Sequence, residues 1–207
     1  MNHPEKNRAC NQKIEQLQRA QSFGLIVPDT LMTNSKSDAV EFVTSHGYCI
    51  LKVVDQVIVT INGVDRAMYA KKITLEDIKK AEGFNITPVI LQPYIEKDFE
   101  LRVTYVQGKL FTCRIESQTD EHSKLDWRAG DIENIPHSTY DLPIDIKQKI
   151  IKLVESYDLR FAAIDLIVTP KEEYVFLEIN PNGQWAWIEL MTKMPIGQSI
   201  AEFLNGS

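Results

Sequence analysis

The sequence has no run of about 18 consecutive apolar residues, the length a helix needs to span a bilayer, so no membrane segment is expected. Met1 to Asn11 is polar and lacks the apolar stretch of a signal peptide. Cysteine is scarce. Cys10, Cys49 and Cys113 are odd in number, widely spaced and without a CxxC pair, which excludes a disulfide framework and fits a reducing cytoplasm. Cys49 and Cys113 fall in strand-like runs and read as core. The histidines His3, His46, His122 and His137 are scattered, with no HExxH or other zinc spacing. Neither a Walker-type loop nor a GxGxxG turn occurs, and the kinase signature loops are missing. Positive charge is in deficit: 23 Lys and Arg against 29 Asp and Glu leave a net charge of -6, which argues against broad nucleic-acid binding. What remains is an ordinary globular mixture, 43% hydrophobic and 25% charged over 207 residues, without repeats, enough for one large domain or two small lobes.

Periodicity organises the chain. Residues 11–23 read as a helix with Asn11 as N-cap and Gly24 as its stop, and residues 36–46 as a second helix with Val40 and Val43 inward, closed by Gly47. Tyr48 to Val54 reads as a strand, with Gln56 to Ile61 pairing back on it around Asp55. Residues 62–75 read as loop, 75–82 as a short helix, and Thr87 to Tyr94 as a strand. Hairpins follow at 99–116 and 160–180. Between them lie a long polar segment, 117–141, and a helix from Pro143 to Tyr157 with Ile146, Ile150, Leu153, Val154 and Tyr157 at helical spacing. A last helix covers about 197–204. Gly83 and Asn85 mark a lobe boundary, giving lobes at 11–85 and 86–207 and a linker remnant at 1–10.

The hairpin from Phe161 to Trp185 carries the clearest chemistry. A turn at Pro170-Lys171-Glu172-Glu173 pairs Thr169 with Tyr174 and Ile167 with Phe176, and sets Asp165 opposite Glu178, with Asn180 on the same face. The other face, Ala162, Ile164, Leu166, Val168, Val175, Leu177 and Ile179, is wholly apolar and must be core. Facing carboxylates repel, and a hard cation removes that cost. Mg²⁺ favours oxygen ligands and would suit Asp165, Glu178 and the Asn180 carbonyl. A solvated polar face is the alternative.

In the hairpin at 99–116, a three-residue turn Gln107-Gly108-Lys109 pairs Val106 with Leu110. Glu100 then faces Glu116 and Arg102 faces Arg114, opposite an apolar face of Leu101, Val103, Tyr105, Phe111, Cys113 and Ile115. Two arginines suit phosphate oxygens and a carboxylate suits ribose hydroxyls; a surface salt-bridge ladder is the alternative. Lys52 lies inside the apolar strand Cys49 to Val54, so it needs an anionic partner or a route to solvent.

Taken together, these pieces resemble the ATP-grasp fold, an α/β (α+β) architecture of two lobes with antiparallel-rich sheets flanked by helices. The sequence is most similar to microviridin-type peptide maturases (graspetide synthetases) and more distantly to the glutamate ligases that extend ribosomal proteins. The likeness runs from Asn7 to Leu204. It is strongest at Glu178-Ile-Asn-Pro-Asn-Gly-Gln-Trp-Ala-Trp-Ile-Glu189 with Pro195-Ile196, and at Asp126-Trp127-Arg128. It implies that Lys13 orients its lobe, Lys52 meets ATP phosphates, and Gln92, Pro93, Tyr94 and Ile95 border adenine. Glu100 and Arg102 then stand near the nucleotide, Arg128 faces the transferring phosphate, and Asp165, Glu178 and Asn180 hold Mg²⁺. Trp185 and Trp187 read as packing.

Pro93 stands where related ligases often carry glutamate. Val53 to Thr74 has one glycine, Gly63, rather than a glycine-rich phosphate loop, so Lys71 or Lys72 becomes a candidate source of charge. Full-length relatives carry a further N-terminal domain, absent here. The implied activity is an ATP-dependent ligase forming ester or amide bonds on a precursor peptide through an acyl phosphate. An amino-acid ligase acting on a protein tail and an inactive ATP-binding module are the alternatives. The resemblance leaves room for a homodimer.

Overall fold

The computed structural model describes residues 1–54, 58–61, 64–67, 70–120, 123–129 and 133–206. Helices α1 (Pro4–Cys10) and α2 (Lys13–Ser22) open the chain. Then come β1 (Leu31–Thr33), α3 (Lys36–His46), β2 (Cys49–Val53), β3 (Ile58–Ile61), β4 (Val64–Ala67), β5 (Lys71–Ile73), α4 (Leu75–Lys80) and β6 (Val89–Pro93). The remainder is β7 (Phe99–Val106), β8 (Lys109–Ile115), β9 (His137–Thr139), α5 (Ile144–Ser156), β10 (Phe161–Val168), β11 (Tyr174–Asn180), α6 (Ala186–Thr192) and α7 (Ile196–Leu204). Among the described residues no helix is long and apolar enough to cross a membrane.

The smaller sheet has the order β1-β6-β2-β5, all antiparallel. Its apolar face meets α3 and α4 around Ala39, Val43, Cys49, Ile73, Ile78 and Leu91. Local chemistry fixes both helices. The Ser35 hydroxyl caps α3, which Gly47 ends at a φ of 75°, and Thr74 with Asp77 forms a capping box on α4. The stretch expected to pair with β2 pairs elsewhere: β3 joins β4 in a separate ribbon, and β2 lies between β5 and β6. Residues 62–75, expected as loop, therefore supply β4 and β5. Short polar strands give little periodic signal against a loop. The turn assigned to Asp55 and the loop residue Gly63 lie outside the described residues.

The larger sheet has the order β11-β10-β7-β8-β9. One face packs α1, α2 and α5 through Cys10, Leu17, Ala20, Leu101, Val103, Ile150, Leu153, Ile164 and Phe176. The other packs α6 and α7 through Val106, Cys113, Ile115, Phe161, Ile188 and Ile196, with Trp185 and Trp187 half-buried beside them. Burial pushes the Cys10 and Cys113 thiols up to about 12, which suits core packing rather than reactivity. Residues expected as a linker form α1. The helix expected over 11–23 is α2, which starts after Gln12, and Asn11, expected as its N-cap, instead closes α1. The helix assigned to the small lobe packs on the large sheet.

Both hairpins depart from the expected register. β7 and β8 join through a two-residue turn, Gln107 and Gly108 at φ 47° and 85°, so Val106 pairs with Lys109. Positive φ at both turn positions matches the right-handed strand twist, and glutamine is an uncommon signal for it. The one-residue change sends Arg102 opposite Cys113 and Arg114 opposite Leu101, so the two arginines lie on opposite faces. The expected face of two arginines and two glutamates therefore does not form: Glu100 and Arg102 share their face with Ile115 and Cys113. In the second hairpin, Asp165 does pair with Glu178, but a bulge shifts the register beyond it. Leu166 pairs with Phe176 and Ile167 with Val175. Phe176 thereby takes the core position expected of Leu177 and is fully buried while Leu177 is half-buried; Val175 is buried as expected.

This register gives a test. Phe176→Ala should cost about 3–5 kcal/mol of stability in denaturant titration, as for a buried aromatic, and Leu177→Ala clearly less. The reverse order would mean the bulge is absent.

Candidate functional site

The site begins with a row across three adjacent strands. Asp165 on β10 pairs laterally with Arg102 on β7 and Glu178 on β11, so a guanidinium and two carboxylates stand side by side on one face. One terminal nitrogen of Arg102 donates to both Asp165 oxygens, at 2.7 and 2.8 Å, and the other reaches the Gln184 carbonyl at 3.4 Å. Both side chains are buried. Gly183 is required beside them: a Cβ there would lie 2.3 Å from Ala163 Cβ and 2.7 Å from the Arg102 guanidinium, so only glycine lets the loop after β11 close over the row. The Arg102 Nε is buried without a hydrogen-bond partner, an N–H suited to an anionic acceptor.

The segment 123–129 brings the second arginine. Both Asp126 oxygens accept from Arg128, Oδ1 from Nε at 2.8 Å and Oδ2 from Nη2 at 2.9 Å. The remaining terminal nitrogen of Arg128 contacts Glu178 at 3.3 Å. The Asp126 bond joins residues two apart in the chain, whereas the contact to Glu178 spans 50 residues and carried no sequence signal. Trp127 packs between, 5.0 Å from Trp187 ring to ring.

Lys52 approaches from the smaller sheet. Burial lowers its pKa, and the Glu178 charge offsets this only in part. Lys13 on α2 donates to the Val53 carbonyl at 3.2 Å and ties the large sheet's helix to the end of β2. Burial works against the Glu178 charge, but Arg128, Lys52, Lys13 and Arg102 outweigh it and hold the carboxyl below its usual range. Lys13, Lys52, Arg102 and Arg128 thus converge on Asp126, Asp165 and Glu178. Asn180 lies two residues beyond Glu178, and its Oδ1 accepts from the Asn182 N–H at 3.1 Å.

Gln92 and Pro93 end β6 in the smaller sheet, and Tyr94 and Ile95 begin the connection to the larger one. Gln92 is buried and donates to Thr30 Oγ1 at 3.0 Å, and the Tyr94 N–H is taken by the Tyr48 carbonyl at 2.8 Å. Lys72 lies over the Tyr94 ring at 3.9 Å, beside this connection, while Lys71 pairs with Leu51. Glu100 has an internal partner. Its carboxylate accepts from the buried Lys97 at 2.7 Å, and Lys97 also donates to the Leu125 carbonyl, next to Asp126. Lys97 escaped sequence reading because nothing local distinguishes it from a surface lysine.

Among the described residues no group of three or more His, Cys, Asp or Glu side chains forms a metal site. Two carboxylates and an amide oxygen are nevertheless a fitting set for Mg²⁺, which keeps waters and phosphate oxygens as its other ligands.

Two antiparallel sheets with cations from both converging between them are the two-lobed ATP-grasp architecture. The chain belongs to the RimK-like ATP-grasp domain family, whose model matches residues 10–204. It is similar to a Chryseobacterium gregarium RiPP-associated ATP-grasp ligase solved with ADP and a leader and core peptide: TM-score 0.92, 31% identity, 99% of this chain and 62% of that one. It is also similar to the Microcystis aeruginosa MRC macrocyclase MdnC, solved with precursor peptide MdnA: TM-score 0.88, 33% identity, 100% of this chain and 63% of that one. A curated relative, the glutamate–LysW ligase ArgX of Sulfurisphaera tokodaii, is 20% identical over 95% of this chain and 69% of its own length. The chain therefore spans under two thirds of the length of the two solved ligases.

The Lys97–Glu100 pair gives a prediction. Lys97→Met leaves a buried carboxylate unpaired and should cost about 3–5 kcal/mol at neutral pH. Burial already raises the Glu100 pKa, against the pull of Lys97 and Ser117. A folded-state carboxyl raised above its unfolded value favours folding most below the unfolded pKa and loses that advantage as pH rises through the folded one. The variant's deficit should therefore shrink on acidification. A deficit independent of pH, measured by thermal melts, would show that Glu100 is not its source.

Proposed function

We propose that the chain is the nucleotide-binding and catalytic part of an ATP-dependent ligase that joins a carboxylate to a hydroxyl or amine on a precursor peptide, giving an ester or amide. The observation that carries this reading is the Arg102–Asp165–Glu178 row with Lys52 and Arg128 aimed at it. Family membership and likeness to ligases solved with ADP and peptide substrates support it. Gain of an amino-acid residue in the product, rather than loss of water, would favour the protein-tail ligase instead.

ATP lies between the two sheets in this reading, its adenine beside residues 92–95 and its phosphates toward Lys52. Asp165, Glu178 and Asn180 would hold Mg²⁺, which would supply positive charge against the phosphate oxygens. A substrate carboxylate takes the γ-phosphoryl group to give an acyl phosphate and ADP, and the peptide nucleophile then displaces phosphate. The chain's own contribution is positioning and charge: Lys52 and the Arg102 Nε toward phosphate oxygens, and Arg128 at the edge where charge develops. No protein nucleophile is required.

Two experiments test the assignment. Glu178→Gln and Asn180→Ala should weaken ATP binding in calorimetry only when Mg²⁺ is present. Equal weakening in chelator would remove both from the metal site. Arg128→Ala should leave the ATP dissociation constant within about threefold yet cut turnover with the peptide by about 10² or more, the scale of losing one preorganised donor. Turnover and affinity falling together would make Arg128 a nucleotide clamp.

A further inference from the structure

Gln16 is buried, 3% exposed, and holds both backbone groups of Ile179, the residue between Glu178 and Asn180. Its Nε2 donates to the Ile179 carbonyl at 2.9 Å and its Oε1 accepts from the Ile179 N–H at 3.0 Å. The same Nε2 donates to the Cys10 carbonyl at 2.6 Å, at the end of α1. β11 is an edge strand, so the Ile179 groups point off the sheet and need a partner. The amide of Gln16 supplies the donor and acceptor that a neighbouring strand would. The bulge before Glu178 interrupts the ladder that would otherwise carry register along β11. A second hold on this edge among the described residues, the Phe176 N–H to the Ile26 carbonyl at 2.8 Å, lies on the far side of that bulge.

We propose that Gln16 is a positioning residue for the metal site: it fixes the peptide between Glu178 and Asn180 and so sets the spacing of their side-chain oxygens. The proposal rests on reading those two residues as Mg²⁺ ligands. Outer partners that orient ligands commonly change metal affinity 10–100-fold when removed.

The test uses the full chain with Gln16→Met, which removes all three hydrogen bonds, and Gln16→Glu, which keeps only the acceptor for the Ile179 N–H. Ile150→Val serves as a core truncation away from β11. Hydrogen exchange at the Ile179 amide should quicken in Gln16→Met and less in Gln16→Glu. The Mg²⁺ concentration for half-maximal enhancement of ATP binding should rise about tenfold in Gln16→Met, with ATP affinity in chelator unchanged and Ile150→Val like wild type. If the methionine variant does not fold, Gln16→Glu carries the same comparison, with a smaller rise expected. Wild-type exchange at Ile179, or a Mg²⁺ midpoint shifted no more than in Ile150→Val, would overturn the proposal. Wild-type ATP binding indifferent to Mg²⁺ would instead overturn the metal reading beneath it, while the exchange result would still report whether the clamp exists.

Discussion

Two neighbouring carboxylates on a buried sheet face are the constraint from which much of the structure follows. Asp165 and Glu178 repel at close range in a medium of low dielectric. The fold answers with Arg102 beside Asp165 and Arg128 beside Glu178. Each arginine needs its own support. Gly183 and the Gln184 carbonyl fit around Arg102, and Asp126 grips Arg128. Lys97 and Glu100 in turn hold the segment that presents Asp126. Because Lys97, Glu100, Arg102, Asp126 and Asp165 are buried, a network of this kind is costly when incomplete.

The network also joins the two sheets. Lys13 belongs to a helix packed on the larger sheet yet bonds the end of β2 in the smaller one. Lys52 comes from the smaller sheet, where burial lowers its pKa, and the Glu178 charge on the larger sheet works against that shift. The segment 94–98 links the sheets covalently. A nucleotide between them would meet backbone from one side and fixed charges from the other.

Much of this was legible along the chain. α3, α5 and α7 follow from apolar spacing and their stops, and the pairing of Asp165 with Glu178 follows from a short hairpin. Asp126 with Arg128 was legible because the partners are two residues apart. The placement of Arg102 and Arg114 on opposite faces was not, since Gln107 gives no sign that it takes positive φ and thereby shortens the turn by one residue. The bulge that buries Phe176 was equally invisible: both registers present an apolar face, so periodicity alone does not separate them.

The sequence by itself determined where α3 and α5 start and stop, that Asp165 pairs with Glu178, and that Asn180 follows on the same side. These depend on interactions between residues close along the chain. Only the tertiary structure decided that β7 lies against β10 and so sets Arg102 next to Asp165, that Arg128 reaches Glu178, and that Gln16 seals the edge at Ile179. Those contacts join residues 50 to 163 positions apart. They form because helical layers cover both faces of the larger sheet, leaving its polar row one place to find partners.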